Sequence, residues 1–234
     1  MANTGFFHHI GTFFLLAATV LLIVTCISAP VVHDLAILKV DLANHPSSQH
    51  ANVAFGTFGW CKNNLGSDGG DDCSPSQLGY SPAAIMNQVD GTDFSDYASD
   101  TTRALTKAMV LHPIACGLNF IAFLLALGAG LVGSFLASMV ALLAFLVTVV
   151  IMIIDFVMFS IVRSNVNDDN TGANAHYGPA AWTILAAAIC SLLGTIIVFF
   201  TCCSARLHKR RQTALPVTKG DYGAPVAARR RRWF

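Results

Sequence analysis

The residues able to do chemistry in this chain are few, and several share one stretch, Phe55 to Tyr80 (FGTFGWCKNNLGSDGGDDCSPSQLGY). Cys61 and Cys73 within it would join as a disulfide on an oxidising side of a membrane and stay reduced on the cytosolic side. Between them, SDGGDD (Ser67 to Asp72) offers oxygens of a calcium-binding kind, but it lacks the register of an EF-hand loop and its closing Glu, so it reads as a solvated turn tip. Asp155 stands alone inside a long apolar run, and His33, His45, His50 and His176 are side chains of the type that changes charge near neutral pH. Cys202 and Cys203 lie beside a basic run, a position that suits S-acylation. No spacing marks a metal cluster, a nucleophile turn or a phosphate-cradling loop, so neither enzymatic function nor a cofactor or metal is expected.

What each of these groups can do depends on the elements that position it. Of 234 residues, 54% are hydrophobic and 12% charged, and the mean hydropathy of +0.59 lies outside the range of soluble domains. A bilayer core takes roughly 20 apolar residues of helix, and four runs meet that length: 6–29, 109–131, 134–161 and 180–203. In lipid every backbone amide needs an internal partner, which makes each run a helix. The first is expected to be a retained span and not a cleaved signal peptide, because it has no basic leading region and is long for one.

Charge sets the orientation. Nine of the fourteen basic residues fall between Arg206 and Arg232, whereas nine of the thirteen acidic ones, all Asp, fall between Asp34 and Asp100. The basic run directly after the fourth span places 204–234 in the cytoplasm, and 1–5 with it; 30–108 and 162–179 then face outside. On that side Cys61 and Cys73 are the two available thiols and pair with each other, closing a loop that stabilises the outer segment by about 3 kcal/mol. The alternation Val53 to Trp60 and the run Leu35 to Leu42 read as strands of a small antiparallel sheet, with Trp60 as an anchor near the interface.

Asp155 then lies about six residues from the outer end of the third span, where a carboxylate is costly. It is expected to meet a polar partner, with His112, Asn119 and the Arg103 to Lys107 border as candidates. Small residues around Gly128, Gly130 and Gly133 (with Ala126, Ala129 and Ala137) suit close helix packing and leave faces for a homo-oligomer. Arg206, Lys209, Arg210, Arg211, Arg229, Arg230, Arg231, Arg232 and Trp233 form a tail suited to anionic lipid at the cytoplasmic face. A membrane tether makes lipid, and not nucleic acid, the nearer polyanion.

In order along the chain, the four spans, the GTFGWC pattern (Gly56, Gly59, Trp60, Cys61), CSPSQLGY with Gly79 and Tyr80, Arg103 before the second span and His112-Pro113 at its entry resemble the claudin-like superfamily, and most closely its fungal PalI-type branch. The resemblance runs from about Phe6 to Cys203. It implies an α-helical membrane protein, a four-transmembrane-helix bundle with a small extracellular antiparallel β-sheet. It further implies a non-enzymatic plasma-membrane role: organising a membrane microdomain or assisting a receptor complex in ambient pH response, with a membrane receptor or a cytoplasmic adaptor as partner. Animal claudins carry Gly-Leu-Trp before the first cysteine where this chain has Phe-Gly-Trp, so barrier function does not transfer. The competing class is an oligomeric channel on the same fold.

Overall fold

The computed structural model describes residues 3–32, 34–43, 51–65, 70–128, 131–169 and 171–213, with 3–7, 131–134 and 205–213 described by their backbone alone. Among these residues, six α-helices and five strands follow in the order α1 (Asn3–Cys26), β1 (Leu38–Asp41), β2 (Asn52–Phe55), β3 (Trp60–Asn63), β4 (Asp72–Cys73), α2 (Pro82–Asp90), α3 (Asp96–Lys107), α4 (Leu111–Leu127), α5 (Leu131–Asp168), β5 (Asn174–Tyr177) and α6 (Pro179–Thr213). Four helical stretches are long and apolar enough to cross a membrane: His8–Cys26, Asp96–Leu127, Phe135–Asp168 and Pro179–Ser204. The second joins α3 to α4 through the 3-10 turn Ala108–Val110.

Within the bundle α1 packs on α6 and α4, and α5 packs on α4 and α6, so the four long helices form a ring. The interior is built from small residues. Ala18, Ala115, Ala122, Ala137, Ala141, Ala144 and Ala187 are all fully buried, as close approach demands where apolar side chains gain nothing over lipid. The outward faces carry Phe, Leu, Ile and Val. On α1 the hydroxyls turn back on their own helix: Thr12, Thr19 and Thr25 donate to the carbonyls of His8, Leu15 and Leu21. Asn119 on α4 donates to Thr148 Oγ1 on α5 at 3.3 Å and accepts from Ser191 Oγ on α6 at 3.0 Å, tying three helices together.

At one end the bundle carries a five-stranded antiparallel sheet in the order β4-β3-β2-β1-β5. The alternating run expected as one strand folds back on itself instead. Gly56 N–H donates to Gly59 O at 2.9 Å, and β2 and β3 pair with Phe55 opposite Trp60. Two glycines, which weaken a strand interior, favour the turn here. The segment expected as a second loop is also more ordered: α5 continues past Ile161 to Asp168, and 174–177 returns as β5, pairing with β1 so that Val40 faces Ala175. The acidic stretch after Tyr80 is helical. Ser81 caps α2 by accepting from Ala84 N–H, with Pro82 in the first turn and Gly91 as left-handed C-cap, and Ser95 caps α3 by accepting from Ala98 N–H. Phe55, Ile37, Leu38, Val40, Val53, Met86 and Met109 share a core with Met158, Phe159 and Val162 of α5, so sheet and bundle meet over one continuous apolar layer.

Candidate functional site

The site lies where that layer meets the second and third spans. Pro113 has no N–H, so α4 cannot close the bond from position 113 to Met109 O. His112, one residue earlier, turns its ring to that carbonyl, with Nδ1 3.2 Å from Met109 O. Its other nitrogen, Nε2, reaches across to α5 and lies 3.0 Å from Asp155 Oδ2. Both side chains are buried, at 0% and 1% exposure. Asp155 Oδ1 finds no donor among the described residues. Asp155 lines a narrow crevice with Ile37, Phe156, Tyr177, Ala181 and Ile184. An intramembrane acid thus meets a histidine across the α4–α5 contact, directly under β1 and β5.

Tyr80 closes the site from the sheet side. Its hydroxyl donates to Gly56 O at 2.6 Å, its carbonyl accepts from Thr106 Oγ1 at 2.7 Å, and its ring stacks on Phe55 at 6.4 Å between centroids. Burial, and secondarily the charge of Asp155, push the Tyr80 phenol far above its ordinary range, so this hydroxyl stays a donor. Gly79, at φ 74, turns the chain into Tyr80. Gly56 has no room for a side chain, because a Cβ there would meet the Ala29 carbonyl oxygen. Gly59 packs against Ser74 and Pro30. Ser28, Thr57 and Thr25 complete the joint: Thr57 N–H donates to Ser28 Oγ at 3.0 Å and Thr57 Oγ1 to Thr25 O at 2.9 Å.

Other residues singled out in the sequence lie elsewhere. Cys61 and Cys73 are bonded to each other and pin β4 to β3. Trp60 is half-buried against the core, with Lys62 Nζ 5.0 Å from its ring. Arg103 is exposed on α3, in the helical stretch that continues through His112. His176 is exposed and sits 3.5 Å from Asp41. Cys202 is 3% exposed, packed inside the bundle, whereas Cys203 is half-buried. Ala126 and Ala137 are buried inside the bundle and Gly128 ends α4, while Ala129 and Gly130 lie outside the described residues and Gly133 is described by backbone alone. Arg206, Lys209, Arg210 and Arg211 fall on the last turns of α6, described by backbone alone; Arg229, Arg230, Arg231, Arg232, Trp233, His33, His45, His50 and Ser67 to Gly69 lie outside the described residues. Among the described residues no group of three or more His, Cys, Asp or Glu side chains converges. The Ser28–Thr57 joint and the Asn119 network were not singled out from the sequence, since a hydroxyl in a span gives no sign of its partner before the helices are placed.

Four membrane-length helices in a ring, capped at one end by a disulfide-pinned antiparallel sheet, define a multi-pass membrane protein. The chain belongs to the SUR7/PalI family, whose model matches residues 7–194, the sheet and the bundle as far as the middle of α6. Among curated proteins it is similar to the pH-response regulator protein palI/RIM9 of Emericella nidulans, 34% identical over 122 residues, covering 51% of this chain and 19% of the relative. The protein of the same name from Pyricularia oryzae is 28% identical over 115 residues, 49% of this chain and 14% of the relative. The pH-response regulator protein palI/prr-5 of Neurospora crassa is 28% identical over 153 residues, 59% of this chain and 20% of the relative. The chain therefore spans a fifth or less of these relatives' lengths.

Proposed function

We propose that this chain is a non-catalytic membrane regulator of the response to ambient pH, with its sheet outside the cell and its basic tail in the cytoplasm. The observation that carries the reading is that the family match takes in the bundle, the sheet and the buried His112–Asp155 contact together, while the curated relatives sharing part of this unit bear the name pH-response regulator. In this reading the disulfide-pinned sheet presents a contact surface to a membrane receptor in the plasma membrane, the helices associate laterally into a microdomain, and the tail holds anionic lipid or a cytoplasmic adaptor.

Deleting the coding sequence in the native host and following an alkaline-induced transcript tests the function. Loss of induction, restored by the full chain, is the expected result; unchanged induction overturns the reading. Extracellular protease that removes a C-terminal tag from intact cells would reverse the orientation. Ion flux through liposomes carrying the purified chain would replace the regulatory reading by the channel.

A further inference from the structure

The His112–Asp155 contact has a proton count that its geometry fixes. Met109 O can only accept, so the hydrogen on His112 must sit on Nδ1. Nε2 and Oδ2, 3.0 Å apart, then need one further proton between them. It resides on Nε2, giving an imidazolium facing a carboxylate, or on Oδ2, giving a carboxylic acid that donates to a neutral imidazole. Without it, two lone pairs face each other in a buried site whose second carboxylate oxygen already lacks a donor. In either arrangement the contact binds one proton.

The surroundings offer no substitute. Among the described residues no Lys or Arg bonds Asp155. Tyr80 is the titratable group from the sheet side that interacts with Asp155, and its phenol is held neutral by burial. From β5 Tyr177 lines the same crevice, and from α5 itself Arg163 is engaged elsewhere, its Nε on Ala175 O at 3.2 Å and its guanidinium 5.6 Å from the Tyr177 ring. Lys107, at the end of α3, is exposed and packs its stem on Gly79.

We propose that His112 and Asp155 form a one-proton binding site that joins α4 to α5 beneath the sheet, and that loss of the proton as external pH rises loosens this joint. The proposal rests on the pH-response reading above and gives it a place in the molecule. Ile37 of the segment entering β1 and Tyr177 of β5 share the crevice with Asp155, so a change at the pair reaches the seat of the sheet directly.

The test uses the full chain in lipid nanodiscs, as wild type, D155N and the double variant D155N/H112Q. The carboxamide that D155N introduces donates to Nε2 without a titratable proton, fixing the joint in its proton-bound form. The thermal midpoint of wild type relative to D155N should fall by roughly 4–8 °C between about pH 5 and about pH 9. D155N/H112Q, which keeps neither the carboxyl group nor the ring, should lose the same slope, so the comparison survives if one variant fails to fold. Parallel slopes in wild type and the folded variants overturn the site. In cells, D155N should hold the alkaline-induced transcript in its acid pattern. If deleting the chain abolishes induction but D155N responds as wild type, the site falls and the regulatory reading stands. If the wild-type slope depends on the pair but deletion leaves induction unchanged, the site stands and the regulatory reading falls.

Discussion

Tyr80 shows how much one side chain can tie together. Its hydroxyl holds the β2–β3 turn through Gly56 O and its carbonyl holds α3 through Thr106, so Tyr80→Phe leaves a buried carbonyl without its donor. The expected cost is about 1–3 kcal/mol, read as a lower thermal midpoint of the purified chain. The alkaline side adds a second signature. Because the phenol is pushed up from its ordinary value of 10.0 in the folded protein, the stability it contributes is fully present below that value. It is lost as pH climbs beyond it, where the unfolded phenol ionises and the folded one does not. Wild type should therefore weaken steeply above about pH 10, and Tyr80→Phe should lack this step. At the turn itself, Gly56→Ala drives a methyl group into the Ala29 carbonyl. Overpacking of this kind costs about 1–3 kcal/mol or more, and limited proteolysis should show the sheet region cut early while the spans stay protected.

Among the elements, β5 is closed on its free edge by side chains of α5. Asn167, on the extension of α5, accepts from Ala175 N–H at 2.6 Å and donates to Ala175 O at 3.2 Å, closing the outer edge of the sheet as another strand would. Asn167→Ala should expose this edge and cost about 1–3 kcal/mol, visible as faster amide exchange across 174–177. This element also marks where sequence reading ends. NAHY has neither alternation nor strand formers enough to declare itself; it is a strand because β1 offers it a register more than a hundred residues away. The spans were legible because length and apolar composition alone decide them, and the disulfide because the expected orientation left two thiols on one side. Gly56 and Gly59 carried the opposite lesson: read as part of a strand by alternation, they are the turn. α2 and α3 were missed for a related reason, since their caps, Ser81 and Ser95, sit in a polar segment that reads equally well as a solvated loop. The His112–Asp155 contact was legible only as one choice among three partners, and Pro113, which frees the Met109 carbonyl and so orients the ring, gave no sign of that role in the sequence.

At the scale of the whole molecule, sheet and bundle share one core, so damage to either reaches the other. Removing the disulfide by Cys61→Ser with Cys73→Ser should cost about 2–5 kcal/mol and lower the midpoint of the entire chain, because Cys61 is buried in a cluster with Ala54 of β2 and with Ala29 and Ala36 of the segment that leads out of α1. Asn119→Leu should cost about 1 kcal/mol and act on the bundle first, leaving the disulfide-pinned sheet protease-resistant. The central claim is that this bundle-and-sheet unit carries a pH response. The most direct measurement replaces the matched membrane segment of the Emericella nidulans relative with residues 7–194 of this chain and follows alkaline induction in that fungus. Restored induction, lost again when the inserted unit carries a charge-reversed Asp155→Lys, is the result predicted; a chimera that reaches the membrane and behaves as a deletion would contradict it.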